Sequence, residues 1–454
     1  MTSQQRVVVI GGGMAAARLA QRLRPAGAHG TGGPALTVLG EEPHAPYNRV
    51  LLAEVLAGRY AHEVIALPAP HDGVRWLGGV RAVRIDRATR TVLCDDGQAV
   101  PYDRLVLATG SNPVLPPLRG LFPPGHDELP DGVHPFRTLD DCTALAAAAA
   151  RPGARAVVIG GGLLGVSAAR ALAERGVPVL LAQQGEHVME RQLDAGAAAL
   201  LRAHIEALGV EVHTKCRVRG LRVEDGSVRG VELADGYLPD ADVVVLACGV
   251  RPRVGLARAA GLPVDRGIVV DDELRTADPR IHAIGDCAQH DGVVYGLAGA
   301  ALEQADLLAR LLSEEAAARY RGTRALTRLT LTGPGPGTGP GTSTNPGPNS
   351  SPTSLSSPST PSTPLDLAAF GTPSPAPGDD VIRLSDATRS AYRQVIVRGD
   401  RLVGGILLGD LGAVGTLART WEADDPLPAA PLLHLLTPES SGGPRTAPTP
   451  DGGS

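Results

Sequence analysis

The sequence has 454 residues, enough for two or three domains, and 43% of them are hydrophobic, enough for buried cores. The formal net charge of −5 gives no reason to expect binding to nucleic acid or to an anionic membrane. No apolar run approaches the roughly 18 residues of a membrane span, and no signal segment precedes the first predicted strand, so we expect a cytoplasmic protein.

A first βαβ unit is predicted close to the N-terminus. A strand at 6–10 leads into Gly11-x-Gly13, a helix follows over Met14–Leu23, and Ala16 takes the third glycine position of the motif. Such glycines let the backbone approach a dinucleotide pyrophosphate, and the helix N-terminus adds free N–H groups and a positive dipole end. The unit therefore predicts a dinucleotide site.

The second strand of this unit is predicted at Leu36–Leu39, after a Pro/Gly-rich connection at Pro25–Pro34. Glu41 and Glu42 follow it almost directly. An acid at the end of this strand is placed to bond a ribose hydroxyl. Arg49 lies a little further on, in a loop that would face the reactive end of the cofactor, although an ordinary surface arginine is the alternative.

The middle of the chain is predicted to contain short strands. Alternating segments at Gly79–Asp86 and Thr91–Cys94 are typical of a small antiparallel meander, and Leu105–Gly110 of a buried strand. Three prolines between 113 and 117 then form a stiff exit between domains.

The glycine motif then occurs a second time. A strand at Ala156–Ile159 precedes Gly160-x-Gly162-x-x-Gly165, and a helical pattern follows. A single motif of this kind is a weak signal, but two copies in one chain predict two dinucleotides that exchange electrons. Gln183 follows the next strand, in the position where an acid would bond the adenosine ribose.

The rest of the second unit is predicted as a long helix at Leu193–Leu208, short strands, and a strand at Val243–Ala247. A strand at Ile281–Asp286 and a helix at Ala300–Arg319 follow.

Beyond this helix, Gly333–Pro364 has the composition of a disordered segment. It interrupts a small C-terminal domain whose strands are predicted at 326–331, Leu365–Phe370, Gln394–Val397 and Leu402–Leu408.

The fold class predicted from these elements is α/β. Two Rossmann-like dinucleotide-binding domains, the first of them discontinuous, are followed by a small C-terminal α+β domain with a disordered insert. The predicted boundaries are 1–118 and 248–322 for the first domain, 119–247 for the second, 323–332 and 365–436 for the C-terminal domain, 333–364 for the insert and 437–454 for a disordered tail.

Five motifs together resemble a known family. They are Gly11-x-Gly13, Ala108-Thr109-Gly110, Gly160-x-Gly162-x-x-Gly165, Gly249-Val250-Arg251-Pro252, and Thr276 with Ile281-His282-Ala283-x-Gly285-Asp286. Their order is that of the pyridine-nucleotide:disulfide-oxidoreductase superfamily of two-dinucleotide flavoproteins. Pro46–Leu52, Met189–Asp194 and Glu303–Ala305 are most similar to the flavin-binding half of the assimilatory NAD(P)H nitrite reductase large subunit and to the assimilatory nitrate reductase electron-transfer subunit.

The resemblance implies FAD at the first site and NADH or NADPH at the second. By position, it implies that the FAD contacts are Gly11, Gly13, Ala16, Glu41 or Glu42, Arg49, Ala82, Thr109, Gly110, Asp286 and Gln304. It implies Gly160, Gly162, Gly165, Gln183 and Gly249 for the nicotinamide nucleotide. Arg49 and Gln304 would lie near the flavin ring, and Asp286 would bond the ribityl chain.

The sequence departs from the family pattern at three positions. Ser167 stands where the family usually has a Glu near the nicotinamide, and Gln183 replaces the ribose acid. Glu54 stands where ferredoxin reductases of this class usually carry a Lys. The first two departures leave the choice between NADH and NADPH open and put the strength of the second site in question.

The five cysteines are scattered, and no pair has C-x-x-C spacing: Cys94, Cys142, Cys216, Cys248 and Cys287. We therefore predict no metal centre and no redox disulfide, and interpret the cysteines as buried thiols. The nitrite reductase subunit also has a cysteine-rich iron–sulfur and sirohaem portion, so we expect that this chain does not reduce nitrite by itself.

Three functional hypotheses remain open. The first is an FAD-dependent NAD(P)H:acceptor oxidoreductase whose partner is a nitrite or nitrate reductase component. The second is a rubredoxin or ferredoxin reductase for another pathway, against which Glu54 and the C-terminal extension count. The third is a slow flavoprotein that acts as a binding or sensing module. A homodimer is compatible with each of them.

Overall fold

The computed structural model describes residues 4–23, 33–122, 125, 127–313, 318–324, 326–331, 364–386, 388–427 and 435–436. Most of the predicted Pro/Gly connection and disordered insert, and all of the predicted tail, lie outside the described residues. The chain divides into two compact units, one of Met1–Arg191, Leu201–Ala325 and Leu331–Thr363, the other of Gln192–Leu200, Leu326–Thr330 and Pro364–Ser454.

The strands up to residue 290 are numbered in chain order. They are β1 (Arg6–Ile10), β2 (Ala35–Gly40), β3 (Val74–Gly78), β4 (Ala82–Asp86), β5 (Thr91–Cys94), β6 (Ala99–Pro101), β7 (Arg104–Leu107), β8 (Ser111–Pro113), β9 (Val133–Pro135), β10 (Ala156–Ile159), β11 (Val179–Ala182), β12 (Val210–His213), β13 (Val218–Glu224), β14 (Ser227–Leu233), β15 (Val243–Leu246), β16 (Val250–Pro252), β17 (Ile268–Val270), β18 (Ile281–Ala283) and β19 (Ala288–His290). The helices over the same part of the chain, with the one that follows it, are α1 (Met14–Arg22), α2 (Leu52–Leu56), α3 (Leu139–Ala149), α4 (Leu163–Glu174), α5 (Ala195–Ala207), α6 (Gly255–Ala259) and α7 (Ala298–Leu312).

Two five-stranded parallel sheets form the frame of this region. The first has the order β18-β7-β1-β2-β3 and the second the order β12-β11-β10-β15-β9. The central strands β1 and β10 consist almost entirely of buried aliphatic residues, as expected for strands covered on both faces. In each sheet the chain moves to one side of the central strand and later returns on the other. Ligands of such sheets bind at the carboxyl ends of the strands beside this switch point.

The first sheet confirms that its domain is discontinuous, because β18 pairs in parallel with β7 although the whole second sheet lies between them in sequence. The predicted meander is also present, as the antiparallel sheet β4-β5-β6. Strand β3, which was not predicted, extends the first sheet beside β2. Its residues are partly exposed and do not alternate, which is why the pattern gave no signal.

The last helix of this region was predicted to reach Arg319, and this prediction is wrong. Helix α7 ends at Leu312, and residues 318–320 are not helical. Tyr320 is buried, its backbone N–H donates to Asp272 O at 2.6 Å, and its ring packs edge-on against His290. This packing fixes Tyr320 in a non-helical conformation against residues that are distant in sequence.

The second unit contains a five-stranded sheet and a helix. The sheet has the order β20-β21-β24-β23-β22, and its elements are β20 (Thr327–Leu331), β21 (Leu365–Gly371), β22 (Asp380–Asp386), β23 (Ala391–Arg398) and β24 (Arg401–Leu408), with helix α8 (Val414–Ala423). Four of these strands match predicted ones, whereas β22 and α8 were not predicted. Phe370 and Trp421 pack together in its core with ring centroids 5.2 Å apart.

His282 makes the first sheet sensitive to acid. It lies buried on β18, and burial, together with Arg104 and Arg275, lowers its pKa from the usual 6.5 to about 4. Between these two values the unfolded chain binds a proton that the folded chain does not. The contribution of neutral His282 to stability is therefore full above pH 6.5 and is lost as the pH falls towards 4.

We predict that the free energy of unfolding falls by roughly 3 kcal/mol more in the wild type than in His282→Leu between pH 7 and pH 4. Urea denaturation followed by circular dichroism at several pH values measures this difference. Parallel pH profiles for the two proteins would contradict the assignment.

Candidate functional site

The first glycine turn connects β1 to α1. Gly11 has a φ of +118°, and a β-carbon there would lie 2.1 Å from Ala108 O, so only glycine fits. Helix α1 begins after Gly13 without a side-chain cap and without an acidic residue in its first turn. Its first N–H groups are therefore left for a ligand or for water. Ala16, in the third motif position, is fully buried.

The second turn repeats this arrangement between β10 and α4. Gly160 has a φ of +110°, and a β-carbon there would lie 2.4 Å from Ala247 O. At Gly165 a β-carbon would lie 1.8 Å from Gly160 O, whereas nothing lies within 4 Å of that position at Gly162. Helix α4 also begins without a side-chain cap and without an acid. By contrast, α3 has a capping box in which Thr138 and Asp141 satisfy its first N–H groups.

The two acids that follow β2 have different partners. Glu41 pairs with Arg253, with 2.6 Å between Oε2 and Nη1. Glu42 accepts a hydrogen bond from Tyr47 Oη at 2.6 Å and pairs with Arg49. Burial raises the pKa of Tyr47, so its hydroxyl remains a donor. Glu42 thus fixes the loop that carries Arg49, while Glu41 lies at the surface.

Arg49 lies beside the first glycine turn. Its Nε is 4.0 Å from the β-carbon position of Gly13, and its Nη1 donates to Arg137 O at 3.0 Å. Its guanidinium also pairs with Glu42, so contacts on two sides hold Arg49 beside the start of α1.

Asp286 is held by two residues that the motifs did not indicate. It lies in a single 3₁₀ turn, Gly285–Cys287, and its Oδ2 accepts hydrogen bonds from Arg137 Nη2 at 2.6 Å and from Ser111 Oγ at 2.9 Å. The Nε of Arg137 is buried and has no hydrogen-bond partner among the described residues. This cluster presents both a carboxylate and an unsatisfied donor.

Gln304 supports the Asp286 turn from behind. Its side chain is only 1% exposed; its Oε1 accepts from the backbone N–H of Gly285 at 2.7 Å, and its Nε2 donates to Tyr320 Oη at 3.1 Å. The oxygen and the nitrogen of the amide are therefore both hydrogen-bonded within the protein. They link the Asp286 turn to the buried Tyr320, which follows α7 in the chain.

The remaining predicted FAD residues lie at the ends of two strands of different sheets, β7 and β4. Thr109 Oγ1 donates to Arg253 O at 2.7 Å, and Gly110, with a φ of +70°, has open space around its β-carbon position. Ala82 begins β4 and is buried. Gly249, predicted for the second nucleotide, has a φ of +95° and is equally open.

The two departures in the second site lie on either side of its glycine turn. Gln183 Oε1 accepts a hydrogen bond from the backbone N–H of Gly161 at 2.8 Å. Ser167 Oγ donates to Leu163 O at 2.8 Å, one turn back along α4. Ser167 therefore adds no charge to the second site.

Glu54 belongs to a buried cluster of charges that joins α2 to α4. Arg170 is 1% exposed and pairs with Glu54 and with Glu174, which is 6% exposed; Arg59 pairs with Glu174 at 2.8 Å. Two cations and two anions thus balance each other. The cluster ties the segment after Arg49 to the helix that begins at the second glycine turn.

Sequence reasoning missed Arg137, Ser111, Arg253 and Arg170, because each acts through a partner that is distant in sequence. One signal was available for Arg137. Thr138-x-x-Asp141 is a capping-box pattern, which marks the start of α3 and places Arg137 at the exit of β9.

The cysteines form no disulfide. Cys287 is buried beside Asp286, and burial raises the pKa of its thiol; burial raises the pKa of the Cys248 thiol to about 11. These thiols therefore remain protonated at neutral pH. Among the residues that the structure describes, no group of three or more His, Cys, Asp or Glu side chains is arranged to hold a metal ion.

The donor set of both turns fits a dinucleotide. Each turn combines a close-packed glycine with an uncapped helix N-terminus, as a pyrophosphate requires. The β-carbon position is open at Gly162, and at Gly13 it is 4.0 Å from Arg49 Nε. The first turn adds the unsatisfied buried Nε of Arg137, which an additional acceptor atom would satisfy.

Comparison with known proteins agrees with the interpretation of both turns as dinucleotide sites. Residues 5–305 match the family model of pyridine nucleotide-disulphide oxidoreductases, and residues 363–422 match the C-terminal domain of rubredoxin NAD+ reductase. The nitrite reductase (NAD(P)H) of Bacillus subtilis is 30% identical over 96% of this chain, and the assimilatory nitrate reductase electron transfer subunit of the same organism is 31% identical over 90%. This chain spans only 49% and 48% of these two relatives.

A solved structure shows the same fold over nearly the whole chain. The putidaredoxin reductase of a covalent complex with putidaredoxin superimposes with a TM-score of 0.76 and 24% identity, covering 95% of this chain and 98% of that one. In the described ranges, no helix is both long and apolar enough to span a membrane.

The chain belongs to the pyridine nucleotide-disulphide oxidoreductase family, whose members are NAD(P)H-dependent oxidoreductases that bind FAD. This confirms the predicted family, fold class, enzyme class and pair of cofactors. The argument that the C-terminal extension counts against a rubredoxin reductase is wrong, because a rubredoxin reductase domain model matches that region.

The charge cluster around Arg170 yields a test of how the two nucleotide-binding parts are joined. We predict that Arg170→Met lowers the free energy of unfolding by roughly 3–5 kcal/mol, because it leaves two carboxylates without their buried cation. Arg151→Met, which removes an exposed arginine 3.6 Å from Asp131, is the control and should cost less than about 1 kcal/mol. Urea denaturation measures both, and an equally small loss in the two variants would contradict the role of the cluster.

Proposed function

We propose that this chain is an FAD-dependent NAD(P)H:acceptor oxidoreductase that passes electrons to a nitrite or nitrate reductase component. The observation that carries the proposal is the duplicated turn, in which a glycine pressed against a neighbouring carbonyl leads into an uncapped helix. Two such turns on two separate parallel sheets provide one dinucleotide site each.

The first turn is proposed to hold FAD. Gly11, Gly13 and the start of α1 would receive the pyrophosphate, with Ala16 allowing the helix to pack behind them. Arg49 is held near Gly13 and would compensate negative charge there. Glu42 is engaged by Tyr47 and Arg49, whereas Glu41 pairs with the half-exposed Arg253. Glu41 is therefore the better candidate for the ribose.

The other FAD residues would shape the rest of the site. Asp286 would bond the ribityl hydroxyls, held for this by Arg137 and Ser111, and Gln304 would keep the Asp286 turn in place. Thr109 and Gly110 would line the open end of β7, and Ala82 the adenine side.

The second turn is proposed to hold NADH or NADPH. Gly160, Gly162 and Gly165 would bring the start of α4 to the pyrophosphate, Gln183 would face the adenosine ribose and Gly249 would leave room for the nicotinamide half. Ser167 contributes no charge, so the carboxylate usual at this position is not available to the nicotinamide.

The role of the chain in the reaction is to position groups and to neutralise charge. When bound, a flavin accepts hydride from a reduced nicotinamide and can release the electrons singly. The protein needs no nucleophile for this chemistry, and it supplies orientation and fixed charges. Because the cysteines are unpaired and two of those nearest the turns have raised thiol pKa values, the electrons are proposed to leave directly to a partner protein.

The names of the relatives support the proposed partner. Relatives that align with at least 90% of this chain are a nitrite reductase and an electron-transfer subunit of nitrate reductase. The matched part is about half of each relative. Their names support the proposal that this chain supplies electrons to a nitrite or nitrate reductase component.

A rubredoxin or ferredoxin reductase is the second candidate. It is favoured by the match of residues 363–422 to the C-terminal domain of rubredoxin NAD+ reductase. The same flavin and nicotinamide sites would serve this function, and only the acceptor would differ.

The role proposed for Asp286 can be tested by flavin retention. We expect Asp286→Ala to raise the dissociation constant of FAD at least tenfold, because the ribityl acceptor is lost and Arg137 is left unpaired. Flavin fluorescence after gel filtration measures this loss. Asp131→Ala, which removes an exposed carboxylate, should retain FAD like the wild type, and equal retention in Asp286→Ala would argue against the assignment.

The proposed function itself is tested with the purified flavoprotein. NADH or NADPH should bleach the flavin absorbance, and a nitrite or nitrate reductase component should restore it at more than about one turnover per second. Faster reoxidation by rubredoxin or ferredoxin would select the second candidate. Slow turnover with every acceptor, including ferricyanide, would select a binding or sensing module, and failure of both nucleotides to bleach the flavin would refute the oxidoreductase.

A further inference from the structure

We propose that the second nucleotide site selects NADPH over NADH, and that the amide of Gln183 and the ammonium group of Lys215 bind the 2′-phosphate that distinguishes the two. The inference rests on the proposed function, since it takes the Gly160 turn to be a nicotinamide nucleotide site. It adds the chemical class of nucleotide that this site accepts.

A hydrogen bond to the glycine turn fixes the orientation of the Gln183 amide. The backbone N–H of Gly161 can only donate, so the amide oxygen of Gln183 must be the atom 2.8 Å from it. The amide NH₂ is therefore the group that remains for a ligand, and Gln183 is partly exposed. A donor suits the oxygens of a 2′-phosphate, whereas the hydroxyls of an unmodified ribose are best bound by a carboxylate.

The side chain at position 183, directly after β11, carries no charge. A carboxylate at the end of β11 would repel a phosphate dianion, and Gln183 removes that repulsion without changing the shape of the side chain. The site thus lacks the element that ordinarily excludes NADPH.

Lys215, the only lysine in the sequence, lies beside the same loop. Its backbone N–H donates to Gly185 O at 2.8 Å, and the next residue, Cys216, donates to Gln183 O at 2.9 Å. Two backbone hydrogen bonds therefore hold the lysine-bearing segment against the loop that begins at Gln183.

The present partner of Lys215 is easily exchanged. Its Nζ lies 2.7 Å from Glu186 Oε2, but the two side chains are 66% and 72% exposed. Ion pairs this exposed contribute little, so a phosphate can replace the carboxylate at small cost. The other acid of the loop, Glu190, is turned onto the backbone N–H groups of Glu186 and His187.

A pocket of about 390 Å³ lies against this segment, and its charged lining consists of Arg202, Lys215, Arg217 and Asp235. Arg202 pairs with Glu206 at 2.8 Å and Lys215 with Glu186 at 2.7 Å, and both carboxylates are exposed. An anionic ligand could therefore engage cations of this lining by replacing weakly held carboxylates.

The test is equilibrium binding of oxidised nucleotides to the full-length FAD-loaded protein by calorimetry. We expect NADP+ to bind at least tenfold more tightly than NAD+, and adenosine 2′,5′-bisphosphate at least tenfold more tightly than AMP. Gln183→Glu should weaken NADP+ at least tenfold and leave NAD+ unchanged or tighter. Lys215→Ala should weaken NADP+ about fivefold, leave NAD+ unchanged and reduce the salt dependence of NADP+ binding.

Gln184→Glu is the matched control, because it adds the same charge at the next, exposed position, away from the Gly161 hydrogen bond. A loss of NADP+ affinity as large as that of Gln183→Glu would assign the preference to the net charge of the loop and overturn the role of Gln183. Equal or tighter binding of NAD+ by the wild type would overturn the inference while leaving the proposed function intact. A protein that binds neither nucleotide, and whose flavin neither reduced form bleaches, would instead refute the proposed function.

Discussion

Two contacts between a glycine and a carbonyl oxygen set the geometry on which the rest of the molecule depends. Gly11 lies against Ala108 O and Gly160 against Ala247 O, at distances that no β-carbon permits. Each contact joins the central strand of a parallel sheet to the strand beside it, just where the chain turns into a helix. The helices begin after Gly13 and Gly162, which provide no side-chain cap. The same short glycine turn therefore packs against the sheet interior and leaves N–H groups for an anion.

Buried ion pairs connect α2, in the first nucleotide-binding part, to α4, in the second. A buried arginine on α4 is costly unless its charge is neutralised, and here Glu54 and Glu174 lie on opposite ends of the Arg170 guanidinium. Glu54, the residue of α2 that departs from the family pattern, therefore has a structural role as the partner of Arg170 on α4. Ser167, one turn before Arg170, donates to a carbonyl of its own helix and takes no part in this charged contact.

The sequence predicted the parts of the fold that depend on local patterns. Both glycine turns, the strands leading into them and the discontinuity of the first sheet follow from short motifs in a fixed order. Strand β3 was missed because its half-exposed residues do not alternate, and the end of α7 was placed too late because burial of Tyr320 outweighs helix propensity. Propensity and pattern are local, whereas both misses are decided by packing against residues distant in sequence.

The sequence predicted the motif residues of the candidate site but not the side chains that hold them in place. Gly11 and Gly160 were predicted from the glycine motif and lie where only glycine fits. Asp286 was predicted from its own motif, and its contact with FAD stays a prediction. Its partner Arg137 was not found, since any of the many arginines could have supplied the cation and only the fold selects one. The sequence could not decide between Glu41 and Glu42 as the residue that binds a ribose. The structure distinguishes them, because the carboxylate of Glu42 is hydrogen-bonded to Tyr47 and paired with Arg49.

The same contacts explain why one set of cofactor sites is compatible with several electron acceptors. The residues around both turns are used to fix glycines, helix ends and charges, and the cysteines nearest to them are unpaired thiols. For the proposed protein acceptor, selection depends on complementarity of shape and charge at the protein surface. Such a surface can change while the buried contacts of both turns are kept. One fold can therefore be shared by proteins named as a nitrite reductase and as a putidaredoxin reductase.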